Sequence, residues 1–226
     1  MSLIEVKNLS AFYENRKVFE NVSFTIEKGD YLCIIGENGS GKTTLMKTVL
    51  GMKIKHTGHI EFKGFTKREI GWLPQKTQTQ KDFPASVEEV VMSGFAGKGV
   101  FGTHYNKALK EQALKNMQIL DISGIAEKSF SELSGGQQQK VLLCRALCAA
   151  KKVLLLDEPT TSLDRSAAEE IYKLVRKLND SGLAVIMISH DINRALSESK
   201  HILNLSENGW FFGTVQEYSE HAKGDI

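Results

Sequence analysis

The sequence predicts an α/β protein that has a mixed α/β core, an antiparallel β subdomain and an inserted helical subdomain. β-Branched and aromatic residues alternate at period two over the first sixty residues, which predicts antiparallel strands. Helical spacing from about Val87 to Phe130 predicts helices with no strand among them. Beyond that segment, the continuous apolar runs "KVLLLDEP" and "LAVIMISH" are typical of strands buried on both faces of a parallel sheet.

The first half of the chain supplies both the antiparallel strands and a strand, loop and helix in order. The strands of the antiparallel subdomain are predicted at "IEVKNLSAFY", "FENVSFTI" and "GHIEFKG". Between the later two lies "YLCIIGENGSGKTTLMKTVLG", which combines an apolar run, a glycine loop and a helix. We expect that helix to end at Gly51, since glycine is favoured just after a helix.

The second half predicts helices, a parallel sheet and a hairpin. The segments "VEEVVMSGF" and "NKALKEQALKNMQILDI" have helical spacing, and "RSAAEEIYKLVRKLND" predicts a helix that stops near Gly182. The sequence "HILNLSENGWFFGT" predicts a hairpin around "ENG", followed by a short polar helix. We interpret residues 1–226 as one domain: 1–75 and 150–226 form the mixed α/β core with the antiparallel β subdomain, and about 76–149 form the helical subdomain.

Charge and composition argue against some classes of protein. The net charge of +2 is nearly balanced and no Lys/Arg block stands out, so we expect no nucleic-acid partner. The start "MSLIEVKNLS" lacks the pattern of a signal peptide, and no apolar stretch reaches the roughly 18 residues of a membrane helix. Three cysteines, an odd number, fit a reducing compartment. We therefore expect the chain to remain in the cytosol.

The cysteines and one histidine pair are candidate metal ligands. Cys33 lies in an apolar run and is predicted to belong to the core. Cys144 and Cys148 are one helical turn apart, which allows either a two-thiolate site or small residues on a buried helix face, and we favour the second. His56 and His59 lie near a turn with no further ligand close by, so we expect both on the surface.

The segment "GENGSGKT" fits the phosphate-loop pattern G-x-x-x-x-G-K-[ST] and lies between a predicted strand and a predicted helix. Its glycines let successive N–H groups point inward, and the helix N-terminus adds positive partial charge. Lys42 is predicted to reach the β- and γ-phosphates, and Thr43 to bind Mg²⁺. The alternative is a glycine-rich turn that binds nothing. The predicted nucleotide contacts of this segment are Gly36, Glu37, Asn38, Gly39, Ser40, Gly41, Lys42, Thr43 and Thr44.

Two adjacent acids end the apolar run "VLLLDEP". Asp157 is placed to hold the magnesium of a nucleotide site. Two neighbouring carboxylates repel each other unless a cation or a chemical task offsets the repulsion, and a second carboxylate beside Mg-ATP can deprotonate water. We predict Glu158 as the general base. The alternative is a turn in which both acids are solvated before Pro159.

Taken together, "GENGSGKT", "LSGGQ", "VLLLDEP", "SLD" and the histidine of "MISHD" resemble, in order and spacing, the ATPase subunit of an ABC transporter. The resemblance covers almost the whole chain, and "LSGGQ" is the motif that is diagnostic of this class. It implies the phosphate-loop ABC ATPase fold, ATP and Mg²⁺ as ligands, and ATP hydrolysis.

The resemblance also explains a second glycine-rich segment, "LSGGQQQK". In proteins of this class two subunits pack head to tail. Ser134, Gly135 and Gly136 of one copy would then close over the γ-phosphate held by Lys42 of the other. A helix N-terminus with a hydroxyl and small residues is physically suited to that contact.

Four further positions take their predicted roles from the resemblance. Tyr13 would stack against adenine, with an exposed strand-end tyrosine as the alternative. Gln75 would reach magnesium and the attacking water. His190 would contact the γ-phosphate, although a histidine after a strand is otherwise more often structural. Asp164 belongs to the loop that signals across the dimer.

With no predicted membrane span, an ATPase of this type needs a separate permease in the membrane, and the chain would lie peripherally at its cytoplasmic face. The segment after Gln75 is the expected contact. The candidate contact residues could instead pack the subdomain's own core, and we favour that alternative for Val87 and Val91. The candidates for a groove that accepts a permease helix are Phe83, Pro84, Val87, Val91 and Phe95.

The same segment suggests a cargo. "DFPASVEEVVMSGF" and "THYNKALKEQALKNMQILDI" resemble the subunits that drive zinc or manganese uptake. The resemblance implies an external substrate-binding protein as a further partner in the complex. Importers of iron chelates or cobalamin are near relatives and remain an alternative. A soluble ABC ATPase of the cluster-assembly type is a second alternative. A phosphate-loop kinase would leave "LSGGQ" without a use.

Overall fold

The computed structural model describes residues 2–14, 16–75, 84–96, 106–206 and 209–224. Within these ranges the strands are β1 (Ser2–Tyr13), β2 (Arg16–Glu27), β3 (Tyr31–Gly36), β4 (Lys55–Phe62), β5 (Ile70–Leu73), β6 (Val153–Asp157), β7 (Ala184–Ile188), β8 (His201–Ser206) and β9 (Gly209–Thr214). The α-helices are α1 (Lys42–Val49), α2 (Val87–Met92), α3 (Lys107–Ile119), α4 (Gly135–Ala149), α5 (Arg165–Asp180), α6 (Ile192–Glu198) and α7 (Val215–Gly224). No helix in the described ranges is both long and apolar enough to cross a membrane.

The chain divides into two compact units. The first unit combines residues 1–67 with 178–226, and the second consists of residues 68–177. The first therefore carries the antiparallel strands and the phosphate loop, and the second carries the helical segment and "LSGGQ". The division into a core and a helical subdomain at residues 75 and 150 stays a prediction.

The first unit contains a three-stranded antiparallel sheet in the order β2-β1-β4. In β1, Val6 faces Phe24 of β2 and Ile60 of β4. Much of β1 and alternate residues of β2 are buried, whereas β4 is largely exposed and carries His56 and His59 at its surface. The alternation therefore predicted the sheet correctly, and the surface position of both histidines is confirmed.

The first unit also contains a mixed sheet, in which β3 pairs in parallel with β7 and β8, and β9 closes the edge antiparallel to β8. All of β3 except its last residue is buried, as expected for a strand covered on both faces. The strand ends at Gly36, where the phosphate loop begins. The helix α1 then ends with Leu50 as its C-cap and Gly51 at φ 70°, as predicted.

The second unit is built around α4. The helices α2 and α3 and the strand β5 pack against it, and β5 pairs in parallel with β6. Cys144 and Cys148 are fully buried on α4, and the Asn116 side chain donates to the Cys148 sulfur at 3.3 Å. Among the described residues, no group of three His, Cys, Asp or Glu side chains could hold a metal ion. The interpretation of both cysteines as buried packing residues is confirmed.

One predicted surface is corrected by the second unit. Phe95 is fully buried, so its predicted place in an open groove is wrong. Val87 and Val91 are also fully buried, which confirms the alternative that they pack the core. Pro84 is exposed, and Phe83 lies outside the described residues.

Candidate functional site

The phosphate loop joins β3 to α1 in the first unit. Gly36 has φ 141°, and a Cβ atom there would lie 2.1 Å from the carbonyl oxygen of Leu205 in β8. Only glycine permits this close approach of the loop to the neighbouring strand. Gly41 is the N-cap of α1 and has the left-handed φ of 97°. The loop therefore leads directly into a helix N-terminus, which is the end of a helix that favours anions.

Lys42 is buried, with 6% of its surface exposed. Its Nζ donates to the carbonyl oxygens of Gly36 at 2.8 Å and Glu37 at 2.7 Å, so the ammonium lies folded over the loop. The Ser40 hydroxyl oxygen is buried without a hydrogen-bond partner. The unsatisfied Ser40 hydroxyl favours an acceptor nearby, because burying a polar group without compensation is costly. The Lys42 ammonium already has two carbonyl acceptors and adds a positive charge to the same loop. The loop thus fits the phosphates of a nucleotide.

A cavity of about 980 Å³ lies beside the loop in the first unit. Its lining includes the loop residues Asn38 to Ser40, together with Tyr13 at the end of β1 and Trp210 in β9. Tyr13 is 69% exposed and Trp210 is 39% exposed, so both rings are accessible to a ligand. The volume is within the range of small-molecule sites. The structure therefore brings Tyr13, predicted to bind the base, to the same cavity as Asn38, Gly39 and Ser40 of the loop, whereas Lys42 and Thr43 do not line this cavity.

The acids Asp157 and Glu158 lie at the end of β6 in the second unit. Asp157 is 2% exposed, whereas Glu158 is partly exposed and has a positive φ of 50°. Gln75 Nε2 donates to Glu158 Oε2 at 2.8 Å. Thr161 Oγ1 donates to the same oxygen at 3.1 Å. Gln75 and Glu158 were both predicted site residues, whereas Thr161 was missed, and its proximity in sequence was the only signal that could have found it.

The predicted magnesium ligands Thr43, Gln75 and Asp157 all offer oxygen atoms. Mg²⁺ prefers such ligands and is usually held by one or two carboxylates together with substrate phosphates. The chemistry of the donor set therefore fits Mg²⁺ bound with a nucleotide.

The signature segment begins α4 in the second unit. Ser134 is the N-cap: its Oγ accepts from Gln137 N at 3.3 Å, and its own N–H donates to Gln137 Oε1 at 3.1 Å. This reciprocal arrangement is a capping box. A Cβ atom on Gly136 would lie 3.1 Å from Ala167 Cβ, so the small residue lets α4 approach α5 closely.

A cavity of about 400 Å³ adjoins this segment. Its lining contains Ser134, Gly135 and Gly136 together with Asp164. Asp164 Oδ1 accepts from Ala167 N at 2.9 Å and so caps α5. The structure brings the signature residues and Asp164 to one cavity and gives Asp164 a local capping role.

His190 follows β7 in the first unit and is exposed. The residue before it, Ser189, is buried and donates its N–H to the carbonyl oxygen of Ile34 at 3.2 Å. The residue after it, Asp191, caps α6 by accepting from Arg194 N at 2.9 Å. His190 is therefore held between two anchored residues at the carboxyl end of a parallel strand.

Cys33 and Cys144 are not poised as nucleophiles. Burial, together with the nearby carboxylate of Asp191, raises the pKa of the Cys33 thiol to about 12. A hydrogen bond with Cys148 and burial both raise the pKa of Cys144. These thiols stay protonated near neutral pH, because ionisation would place an uncompensated charge in the core.

Comparisons with known proteins identify the family of the chain. The family model described as ABC transporter matches residues 19–161. The zinc uptake system ATP-binding protein ZurA of Listeria innocua is 35% identical, and the alignment covers 97% of this chain and 88% of that protein. The manganese transport system ATP-binding protein MntB of Halalkalibacterium halodurans is 32% identical, with coverage of 95% and 87%.

A solved structure of an ABC transporter in an inward-facing conformation, described as of metal-chelate type, superposes with a TM-score of 0.86. It is 28% identical, and the match covers 96% of this chain and 85% of that one. The residues matched by the family model include the phosphate loop, the signature segment and the acids Asp157 and Glu158. The chain therefore belongs to the ABC transporter family and is one of its ATP-binding ATPases.

Proposed function

We propose that this chain is the ATP-hydrolysing subunit that powers a membrane permease importing a divalent metal, zinc or manganese. One observation carries the cargo assignment. The similarity to ATP-binding proteins of zinc and manganese transport systems extends over 97% and 95% of the chain. It therefore includes the segment after Gln75, which is the expected permease contact, as well as the ATPase motifs common to the whole family.

The residues of the phosphate loop bind the nucleotide in this proposal. Lys42 and the loop amides hold the β- and γ-phosphates, and Tyr13 stacks against the base. Thr43 and Asp157 are the magnesium ligands, with Gln75 as a third contact. Bound Mg²⁺ supplies neutralisation of the phosphate charge. Support comes from the buried Lys42 ammonium and from the cavity that joins Tyr13 to the loop.

Glu158 is the proposed general base, which accepts a proton from the attacking water. His190 contacts the γ-phosphate. Glu158 is partly exposed, so its carboxylate is accessible to water. Its Oε2 accepts two hydrogen bonds, which orient the carboxylate. A base of this kind must reach the water within hydrogen-bond distance.

Hydrolysis in this proposal requires a second copy of the chain, packed head to tail. Ser134, Gly135 and Gly136 of one copy contact the γ-phosphate bound to the other, and Asp164 lies in the same contact. The cavity that joins these four residues opens at the N-terminus of α4, where backbone N–H groups favour an anion.

The proposed complex also contains a membrane permease and an external substrate-binding protein, and the chain lies at the cytoplasmic face of the membrane. An importer of iron chelates or cobalamin is the second candidate. The similarity to a transporter described as of metal-chelate type favours this second candidate over cargoes other than zinc and manganese.

The test is uptake of zinc, manganese, iron and cobalamin by the native cells, which would carry either the wild-type chain or Glu158→Gln. Glu127→Gln is the matched control, because it makes the same change of charge at an exposed residue of the second unit. We expect Glu158→Gln to abolish uptake of zinc or of manganese while the control retains it. Loss of only iron or cobalamin uptake would establish the second candidate. Unchanged uptake of all four, with purified wild-type protein still hydrolysing ATP, would exclude the import of these cargoes and favour the soluble cluster-assembly type.

A further inference from the structure

The chain reverses direction immediately after β6. Glu158 has a φ of 50°, a backbone conformation that glutamate seldom adopts, and the N–H of Thr161 donates to the Glu158 carbonyl oxygen at 3.5 Å. This turn brings Thr161, its fourth residue, close to Glu158, its first residue. The side chain of Thr161 can therefore reach the side chain of Glu158 without any contribution from the rest of the fold.

The two threonines of the turn have different partners. Thr160 Oγ1 lies 3.2 Å from the hydroxyl oxygen of Tyr172, a buried residue of α5, and so anchors the turn to that helix. Thr161 is exposed, and its Oγ1 donates to Glu158 Oε2 at 3.1 Å. Thr160 therefore fixes the backbone of the turn, and Thr161 contacts the carboxylate.

We propose that Thr161 is a positioning residue for the carboxylate of Glu158, an inference that rests on the proposed role of Glu158 as general base. A glutamate side chain has three torsion angles, and a partly exposed carboxylate samples several orientations unless donors restrict it. Thr161 supplies such a donor from the same turn. Its hydrogen bond to Glu158 Oε2 favours one orientation of the carboxylate and restricts rotation of the whole group.

Gln75 donates to the same oxygen but comes from a different segment, just after β5. Its proposed role requires its amide to turn towards magnesium and the attacking water. Of these two donors, Thr161 is then the one that remains on Glu158 during hydrolysis. Its contribution should accordingly appear in the turnover rate and not in the affinity for ATP.

The test is steady-state ATP hydrolysis by the purified full-length chain. Thr161→Val removes the donor and keeps the shape of the side chain, Thr161→Ala removes both, and Thr161→Ser keeps the donor. We expect Val and Ala to lower kcat by about 3- to 10-fold, which corresponds to the modest net contribution of a typical intramolecular hydrogen bond, with KM for ATP within about twofold of wild type. Thr161→Ser should restore kcat. The melting temperature should stay unchanged for all three variants, whereas Thr160→Val should lower it because it removes the anchor to Tyr172.

Four outcomes overturn the inference, and Glu158→Gln separates its failure from failure of the proposed function. If Glu158→Gln is inactive and both Val and Ala at position 161 retain the wild-type kcat, Thr161 has no positioning role. A rise in KM at unchanged kcat would assign Thr161 to nucleotide binding instead. Failure of Thr161→Ser to restore kcat would show that the hydroxyl is not the relevant group. Near-normal turnover by Glu158→Gln would refute the general base itself, and the inference with it.

Discussion

Replacing Lys42 with methionine tests the phosphate site most directly, because the change keeps the apolar stem and removes only the ammonium. In this structure the ammonium donates to the carbonyl oxygens of Gly36 and Glu37 at 2.8 and 2.7 Å. A phosphate must therefore share the cation with two acceptors that are already bound. We therefore expect Lys42→Met to lose about 2 kcal/mol of ATP binding free energy, a value near the lower end for a hydrogen bond to a charged group. This corresponds to a roughly 30-fold loss of ATP affinity.

The assay is isothermal titration calorimetry of ATP into each purified protein in the presence of Mg²⁺. Lys47→Met is the matched control, since Lys47 is an exposed lysine of the same helix α1. We expect the control to bind ATP within about twofold of wild type. Lys42→Met should also lose some thermal stability, because two carbonyl oxygens in the loop lose a charged donor. An affinity of Lys42→Met equal to that of the control would refute the assignment of this loop to phosphate binding.

Three further predictions concern the dimer, the surface charges and the cavity that is proposed to bind the nucleotide base. Glu158→Gln should still bind ATP and elute from gel filtration as a dimer when ATP is present, and a monomer under those conditions would contradict the proposed assembly. Hydrogen bonding to Lys63 lowers the pKa of Glu5 from 4.5 to about 2 in the folded chain. Glu5→Gln should thus reduce the melting temperature at pH 7, and the difference from wild type should shrink as the pH falls from 4.5 towards 2. The Trp72→Phe variant leaves Trp210 as the only tryptophan. Saturating ATP should change its fluorescence, and an unaltered emission spectrum would place the nucleotide outside the cavity.

Much of the fold follows from hydrophobic patterning. The runs that became β3, β6 and β7 are buried along almost their whole length, and for that reason they appear as continuous apolar segments in the sequence. The strand β5 was not predicted, because its four residues "IGWL" are too short to show a period. Phe95 shows a second limit: helical spacing identifies an apolar face but does not tell whether that face packs the core or lines an open groove.

The site was predicted less completely than the fold. Spacing alone identified the phosphate loop and the acids after β6, since those motifs depend on backbone shape and residue type. The contact of Gln75 and Thr161 with Glu158 depends instead on side-chain torsions and on the conformation of the turn. Glu158 precedes a proline, which normally restricts a residue to extended conformations, whereas its φ is 50°. Local sequence rules therefore fail at the residue that the proposed chemistry uses most directly.

Ser134 shows how one residue can satisfy a structural rule and a functional one together. Its hydroxyl oxygen accepts the N–H of Gln137, which completes the cap of α4. A hydroxyl has lone pairs that accept and one proton that it can donate, so the same group can cap the helix and still donate to a phosphate oxygen. An aspartate at this position would cap the helix equally well but would repel the phosphate. Capping alone therefore accepts several residues here, whereas capping together with phosphate binding favours a hydroxyl.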